Sequence, residues 1–200
     1  MFIQVIRGRV DDADGYQRQI DGWKDELMDE AKGFLGSTSG FTPDGRFITV
    51  ARFESEELAQ QNSEGDRQSQ WWAETEKMVS DVTFTDFTDV EAYKSGGSDD
   101  AGFVQVMIGK VNDVAKAKAL DKQMSEEMPD LRPDVIGGTT GYNDSGDFVT
   151  TIYFTSESEA RAGEKQMDEM ESPPGMEEWG ALMVGEMTYF DLNEPAFLSK

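Results

Sequence analysis

Two rhythms of apolar residues alternate along the chain. Residues 2–10 open with Phe2-Ile3-Gln4-Val5-Ile6, apolar on both sides of an extended backbone, which predicts a strand covered on both faces. Asp11 and Asp12 then suit a helix N-cap. Tyr16, Ile20, Trp23, Leu27 and Ala31 follow at helical spacing and form one apolar stripe. Two strands flank the turn Thr42-Pro43-Asp44-Gly45, whose last residue is the glycine that a positive φ favours. The second of these strands, 46–53, ends in Phe53. Ser55-Glu56-Glu57 opens another helix, with serine as cap and carboxylates at its positive end. That helix is expected to break near Asn62-Ser63-Glu64-Gly65 and to resume with Trp71, Trp72, Thr75, Met78 and Val79. A last strand is expected near 82–90, which completes the order β-α-β-β-α-β.

The same order occurs again. Gly40-Phe41-Thr42-Pro43-Asp44-Gly45-Arg46-Phe47-Ile48-Thr49 aligns with Gly141-Tyr142-Asn143-Asp144-Ser145-Gly146-Asp147-Phe148-Val149-Thr150, so Gly40 corresponds to Gly141 at an offset of 101. That offset also brings Phe2-Ile3-Gln4-Val5 onto Phe103-Val104-Gln105-Val106, Phe53 onto Phe154 and Ser55-Glu56 onto Ser156-Glu157. Toward the end Phe87 matches Phe190, an offset of 103, placing the second copy's last strand near 184–192. The second copy's helical stripe is Ala117, Leu120, Met124 and Met128, and Pro129 is expected to end it. Ser172-Pro173-Pro174-Gly175 is expected to break its later helix. The polar run Lys94-Ser95-Gly96-Gly97-Ser98-Asp99-Asp100 reads as a linker. The repeats are therefore placed at 1–94 and 102–200, with 95–101 between them.

The expected fold class is α+β. Each unit would form a four-stranded antiparallel sheet with both helices on one face, leaving the other face partly apolar and in need of cover. The tandem copy offers that cover, so two ferredoxin-like βαββαβ units are expected to pack sheet to sheet as an intramolecular α/β barrel. A monomer with internal pseudo-twofold symmetry follows.

In pattern, length and duplication the chain resembles the dimeric α/β-barrel superfamily, in particular antibiotic-biosynthesis-monooxygenase-like (ABM) domains. The resemblance is carried by Phe47-Ile48-Thr49-Val50-Ala51-Arg52-Phe53-Glu54-Ser55-Glu56-Glu57-Leu58-Ala59 and by Phe148-Val149-Thr150-Thr151-Ile152-Tyr153-Phe154-Thr155-Ser156-Glu157. In both, a strand ends in an aromatic residue and Ser-Glu opens the next helix. Gln70-Trp71-Trp72-Ala73-Glu74-Thr75 is similar to uncharacterised actinobacterial members. The resemblance implies a cavity between sheet and helices, or between sheets, that admits small molecules. Some members are cofactor-free oxygenases of polycyclic aromatics, in which Asn, Trp, Tyr and Arg side chains bind substrate and stabilise an anion that itself reacts with O₂. Others degrade haem through a histidine ligand.

Composition narrows this further. The chain has no cysteine, which excludes disulfides, thiolate nucleophiles and Cys-ligated metal centres. It has no histidine either, which excludes an axial His for haem and any Ser–His or Cys–His dyad. The haem-dependent branches of the superfamily, peroxidase and chlorite-dismutase-like relatives included, are excluded with it. No cofactor and no metal site are expected. Asp11-Asp12-Ala13-Asp14-Gly15 lacks the spacing and closing Glu of a calcium loop and reads as a cap. A net charge of −23 repels nucleic acid and anionic membranes. It fits a solubilising surface or a salt-adapted host. No apolar run approaches a membrane span and the N-terminus begins with a strand, so a cytoplasmic protein is expected.

The candidate pocket residues are Gln4, Arg52, Asn62, Trp71, Trp72, Gln105 and Tyr153. Gln4 and Gln105 are polar positions in apolar strands and need partners: a ligand, or each other across the pseudo-twofold axis. Arg52 and Tyr153 alternate with Phe53 and Phe154, so they point away from the face those rings cover. Arg52 suits either an enolate or phenolate or a salt bridge. Trp71 and Trp72 are adjacent and cannot share one helix face, so one packs while the other lines a pocket or covers the sheet edge. Asn62, at the helix break, suits a cap. Three functions fit these residues. They are a cofactor-independent monooxygenase-like protein acting on a small aromatic molecule, a non-catalytic ligand-binding module, and an interaction domain with a filled interior.

Overall fold

A computed structural model describes the backbone of residues 1–94, 96–169 and 175–200, and their side chains except those of 127–130. In chain order the elements are β1 (Phe2–Val10), α1 (Ala13–Glu26), β2 (Phe34–Phe41), β3 (Arg46–Phe53), α2 (Glu56–Ser63), α3 (Asp66–Thr75), a 3₁₀ turn (Glu76–Met78), β4 (Val79–Phe87) and β5 (Asp89–Tyr93). They continue with β6 (Phe103–Lys110), α4 (Val114–Leu131), β7 (Val135–Tyr142), β8 (Asp147–Phe154), α5 (Glu157–Glu169), α6 (Met176–Gly180), β9 (Thr188–Leu192) and β10 (Ala196–Ser199). The fold is α+β, two ferredoxin-like units in tandem. Among the described residues no helix is long and apolar enough to cross a membrane.

Local chemistry sets the element ends. The Asp12 carboxylate accepts the Gly15 N–H at 2.9 Å and starts α1. Ser55 and Ser156 cap α2 and α5 by accepting the N–H groups of Leu58 and Glu159, each at 3.3 Å. Gly45 and Gly146 close their hairpins with φ of +79° and +83°, a region in which a Cβ is strained. The expected interruption at 62–65 is present, between α2 and α3.

Each sheet has five strands, not the expected four. The first runs β10-β2-β3-β1-β4 and the second β5-β7-β8-β6-β9. The fifth strand of each sheet is the segment that follows the other repeat's last strand. A bare β2 or β7 edge would leave a row of backbone N–H and C=O groups unpaired, and β10 and β5 cover those edges. Both extra strands are too short to show an alternating pattern in sequence. Accordingly, one compact unit comprises Met1–Asp89 with Ala196–Lys200, and the other Val90–Pro195. Lys94, at the start of the polar run, donates to the Val135 carbonyl at 2.5 Å.

Three further expectations are corrected. The last strand of each repeat lies at Val79–Phe87 and Thr188–Leu192 rather than 82–90 and 184–192. Ladder register pairs Gln4 with Asp86 and Gln105 with Asp191, so Asp86 corresponds to Asp191 and the offset there is 105, not 103. The hydrophobic match of Phe87 to Phe190 was a slip of two positions, which strand periodicity does not penalise. Finally, α4 runs through Pro129 to Leu131: a proline gives up its N–H bond and crowds the carbonyl four residues before it, and with two helical residues left that cost falls on the last turn alone. The Met128 side chain and the expected break at 172–174 lie outside the described residues.

In the first unit the α1 stripe packs as expected. Tyr16, Ile20, Trp23, Leu27 and Ala31 are buried with Phe34, Phe47 and Phe53 in one cluster. Phe53 therefore faces the helices. Ile3, Val5, Ile48 and Val50, on the opposite face, are buried equally, so β1 and β3 are covered on both sides, as their composition requires. The second unit packs Ala117, Leu120, Tyr142 and Phe148 in one cluster and Phe103, Val135, Phe154 and Ala160 in another.

Candidate functional site

The helix-facing side of the first sheet is not filled evenly. Along β2 it presents Ser37 and Ser39, and along β3 Thr49 and Ala51, where larger residues would complete the core. These small side chains leave a cavity of about 320 Å³ between the sheet and helices α1 to α3, within the roughly 300–1,000 Å³ range of small-molecule pockets. Its walls are Ile20, Trp23, Phe34, Phe53, Trp71, Trp72, Phe84 and, from β10, Leu198. Gln4, Ser37, Ser39, Thr49, Asn62 and Gln68 add polar groups. Among the described residues no ionisable side chain lines it, although charged residues make up 30% of the chain.

The polar groups fall into two sets. On the floor, Thr49 donates to Ser39 at 2.9 Å, and the Tyr16 hydroxyl lies 3.4 Å from Thr49. Burial pushes the Tyr16 phenol up to about 12, with the Thr49 hydrogen bond pulling the other way, so this phenol stays neutral. At the wall, the Trp23 indole N–H donates to Gln68 Oε1 at 2.8 Å, which leaves the Gln68 amide hydrogens available. The Asn62 side chain and the Trp72 indole N–H make no hydrogen bond among the described residues. The Asn62 backbone carbonyl receives the Gly65 N–H, so its side chain is not the expected cap.

The adjacent tryptophans divide their work as their spacing implied, though both touch the cavity. Trp71 is pinned to α1: its indole N–H donates to the Gln19 carbonyl at 3.0 Å, and the Gln19 amide donates back to the Trp71 carbonyl at 3.1 Å. Trp72 instead meets Phe84 edge to face, with centroids 5.1 Å apart.

Four of the seven candidate residues, Gln4, Asn62, Trp71 and Trp72, thus converge on one cavity. Gln4 donates to Asp86 on β4 at 3.0 Å, and Gln105 donates to Asp191 on β9 at 2.9 Å. Each glutamine finds its partner in its own sheet rather than in its counterpart. Gln105 is not in the lining of this cavity; beside it Arg161 stacks over Phe103 at 5.1 Å and pairs with Asp191 at 2.5 Å and Glu164 at 3.0 Å. Arg52 and Tyr153 lie on the opposite sheet faces from Phe53 and Phe154. Arg52 makes no ion pair among the described residues, and its Nε is buried without a hydrogen-bond partner. Tyr153 is 1% exposed. Neither lines this cavity.

Sequence reasoning missed Ser37, Ser39, Thr49 and Gln68. The signal was the run Ser37-Thr38-Ser39-Gly40, whose alternate positions put small side chains opposite a helix. A second cavity of about 230 Å³ lies in the second unit, among β5, β7, β8 and α4, and none of the candidates reaches it. Among the described residues no three or more acidic side chains converge as they would around a metal ion.

No model of a known protein family matches the chain, and no curated protein matches it. Solved structures of the same shape do exist. A candidate monooxygenase from Lactobacillus acidophilus superposes with a TM-score of 0.68 at 14% identity, covering 99% of both chains. A candidate monooxygenase from Fusobacterium nucleatum gives 0.73 at 9% identity, covering 100% of this chain and 94% of that one. An anthrone oxidase-like protein gives 0.71 at 9% identity over 99% and 92%. At such identities the likeness is one of fold: the chain shares the architecture of these three proteins.

Proposed function

We propose that the first unit binds a flat, uncharged aromatic molecule bearing carbonyl or phenol oxygens, and that it oxygenates this molecule without a cofactor. The observation that carries this reading is the character of the cavity: aromatic walls, neutral hydrogen-bond donors, and no ionisable side chain in the lining. Trp72 and Phe84 offer ring faces, and Asn62, Gln68 and the Trp72 N–H offer donors to an oxygen at the substrate's edge. A phenolate or enolate formed there gains more from these donors than the neutral substrate does, which is the differential stabilisation that accelerates a reaction. The likeness in fold to candidate monooxygenases and to an anthrone oxidase-like protein supports the same reading.

An anthrone serves as the probe substrate. Its CH₂ becomes C=O: one oxygen atom of O₂ enters the carbonyl, the other leaves as water with the two displaced hydrogens, and the substrate supplies all four electrons. The cavity lining holds no general base, so solvent takes the substrate's acidic proton and the chemistry is confined to substrates that ionise readily. The test is oxygen uptake with anthrone. Consumption of one O₂ per anthrone, accelerated by the protein and lost in Trp72→Ala, supports the proposal. Saturable anthrone binding with uptake no faster than in buffer would overturn the catalytic part. The missing base favours that second reading, a ligand-binding module that keeps the cavity without the chemistry.

A further inference from the structure

The repeats place different chemistry at corresponding positions. At the offset of 101, Ile20 of α1 corresponds to Asp121 of α4, and Phe41 of β2 to Tyr142 of β7. Ile20 is an apolar wall of the first cavity. Asp121 occupies the same position on the helix face and lines the second cavity. The two changes are matched, since the Tyr142 hydroxyl donates to Asp121 Oδ2 at 2.5 Å. An apolar contact in one repeat has become an oriented carboxylate in the other.

That carboxylate has no cation. Among the described residues no lysine or arginine pairs with Asp121. The Trp179 indole N–H approaches it without making a hydrogen bond of normal geometry. Burial raises the Asp121 pKa, the Tyr142 and Trp179 contacts act in the opposite direction, and Glu91 raises it further. A half-buried carboxylate in the field of a second one is costly until a positive charge meets it. Glu91, from β5, shares the cavity lining and has Lys118 at 3.6 Å. Beside the hydroxyls of Ser125, Thr140 and Thr150, the lining offers apolar and polarisable side chains: Tyr93, Met124, Ile152 and Met176. The Tyr93 hydroxyl, in the same lining, is buried without a partner. Aromatic faces and thioethers around an anion are the surroundings an organic ammonium favours.

We propose that the second unit's cavity is a binding site for a small amine, a protonated nitrogen on a one-ring apolar body. Its charge sits on Asp121 beside Glu91 and its body lies against Tyr93, Met124 and Ile152. At about 230 Å³ the cavity falls below the range typical of drug-sized ligands, which limits the body to a single ring system. The site is independent of the first unit's cavity, whose lining holds no charge to attract such a ligand.

The experiment is calorimetric titration of the full chain with benzylamine and phenethylamine, each against its neutral alcohol isostere, near physiological salt. Saturable binding of at least one amine, tenfold or more tighter than its alcohol, is expected. Asp121→Asn should weaken it at least tenfold. Asp121→Ile, which restores the first repeat's residue, should abolish it while remaining folded. Glu186→Gln, an exposed carboxylate outside the cavity, should leave it unchanged, as should Trp72→Ala. The proposal is overturned if no amine binds saturably, if the alcohols bind as well, or if both Asp121 variants fold and keep the affinity. Equal weakening in Glu186→Gln would also overturn it, by reducing the effect to the chain's general negative charge.

Discussion

Trp71 and Trp72 are neighbours in sequence with opposite assignments, and replacing each by alanine separates packing from binding. Full burial of a tryptophan is worth about 3–5 kcal/mol on truncation. Trp71 is half-buried, packs against the first unit's core cluster and ties α3 to α1 through reciprocal bonds with Gln19. Discounting for exposure and adding about 1 kcal/mol for the lost indole bond, Trp71→Ala should cost about 2–3 kcal/mol. Trp72 is also half-buried, and its main ring partner, Phe84, is 51% exposed. An aromatic pair contributes about 0.5–1.5 kcal/mol, so Trp72→Ala should cost about 1 kcal/mol. For a chain of this size about 2–4 °C of Tm accompanies each kcal/mol. Thermal unfolding should therefore fall by roughly 4–12 °C for Trp71→Ala and by about 2–4 °C for Trp72→Ala. Affinity for an anthrone probe, read by quenching of tryptophan fluorescence, should fall about tenfold in Trp72→Ala, the loss of one ring contact and one donor. An equal loss of Tm in the two variants, or unchanged affinity in Trp72→Ala, refutes the assignment.

The other expectations are independent of that one. Asp121 has a raised pKa in the fold, so the fold favours its neutral form, and the stability this gives is present at low pH and lost as pH rises through the folded value. Asp121→Asn should accordingly melt higher than the parent near neutral pH, with the gap closing as pH falls toward 3.8, the ordinary carboxylate value; a gap that does not depend on pH contradicts the argument. Leu198→Ala, on β10, should cost about 2–4 kcal/mol and enlarge the first cavity, seen as a lower denaturation midpoint with altered anthrone affinity. Gly22→Ala meets nothing within 4 Å in mid-helix and should stabilise by about 0.5–1 kcal/mol. Gly137→Ala would drive a Cβ into the Gly96 carbonyl oxygen and should destabilise by about 1–3 kcal/mol. Light scattering should give the single-chain mass of 22.3 kDa, and twice that value would refute the expected monomer.

By itself the sequence determined the duplication, the β-α-β-β-α-β order and most element ends. Each of these rests on local signals: Asp12 and Ser55 as caps, Gly45 and Gly146 in their turns, the Tyr16-to-Ala31 stripe. It also limited the chemistry, because a chain without histidine or cysteine has few ways to hold a metal or form a nucleophile. The pocket was partly legible, since large aromatic and amide residues such as Trp72 and Asn62 stand out in a string of letters. What could not be read was empty space. A cavity is made by what neighbouring elements fail to fill, and Ser37, Ser39 and Thr49 became its floor only once β2 and β3 were placed under α1. The same holds for Asp121, one acidic residue in a chain with 41 of them, until α4 turned it toward Tyr142. Edge pairing was likewise decided in three dimensions. Strands as short as β5 and β10 carry no periodicity of their own, and only the unpaired backbone of β7 and β2 determined where they would lie.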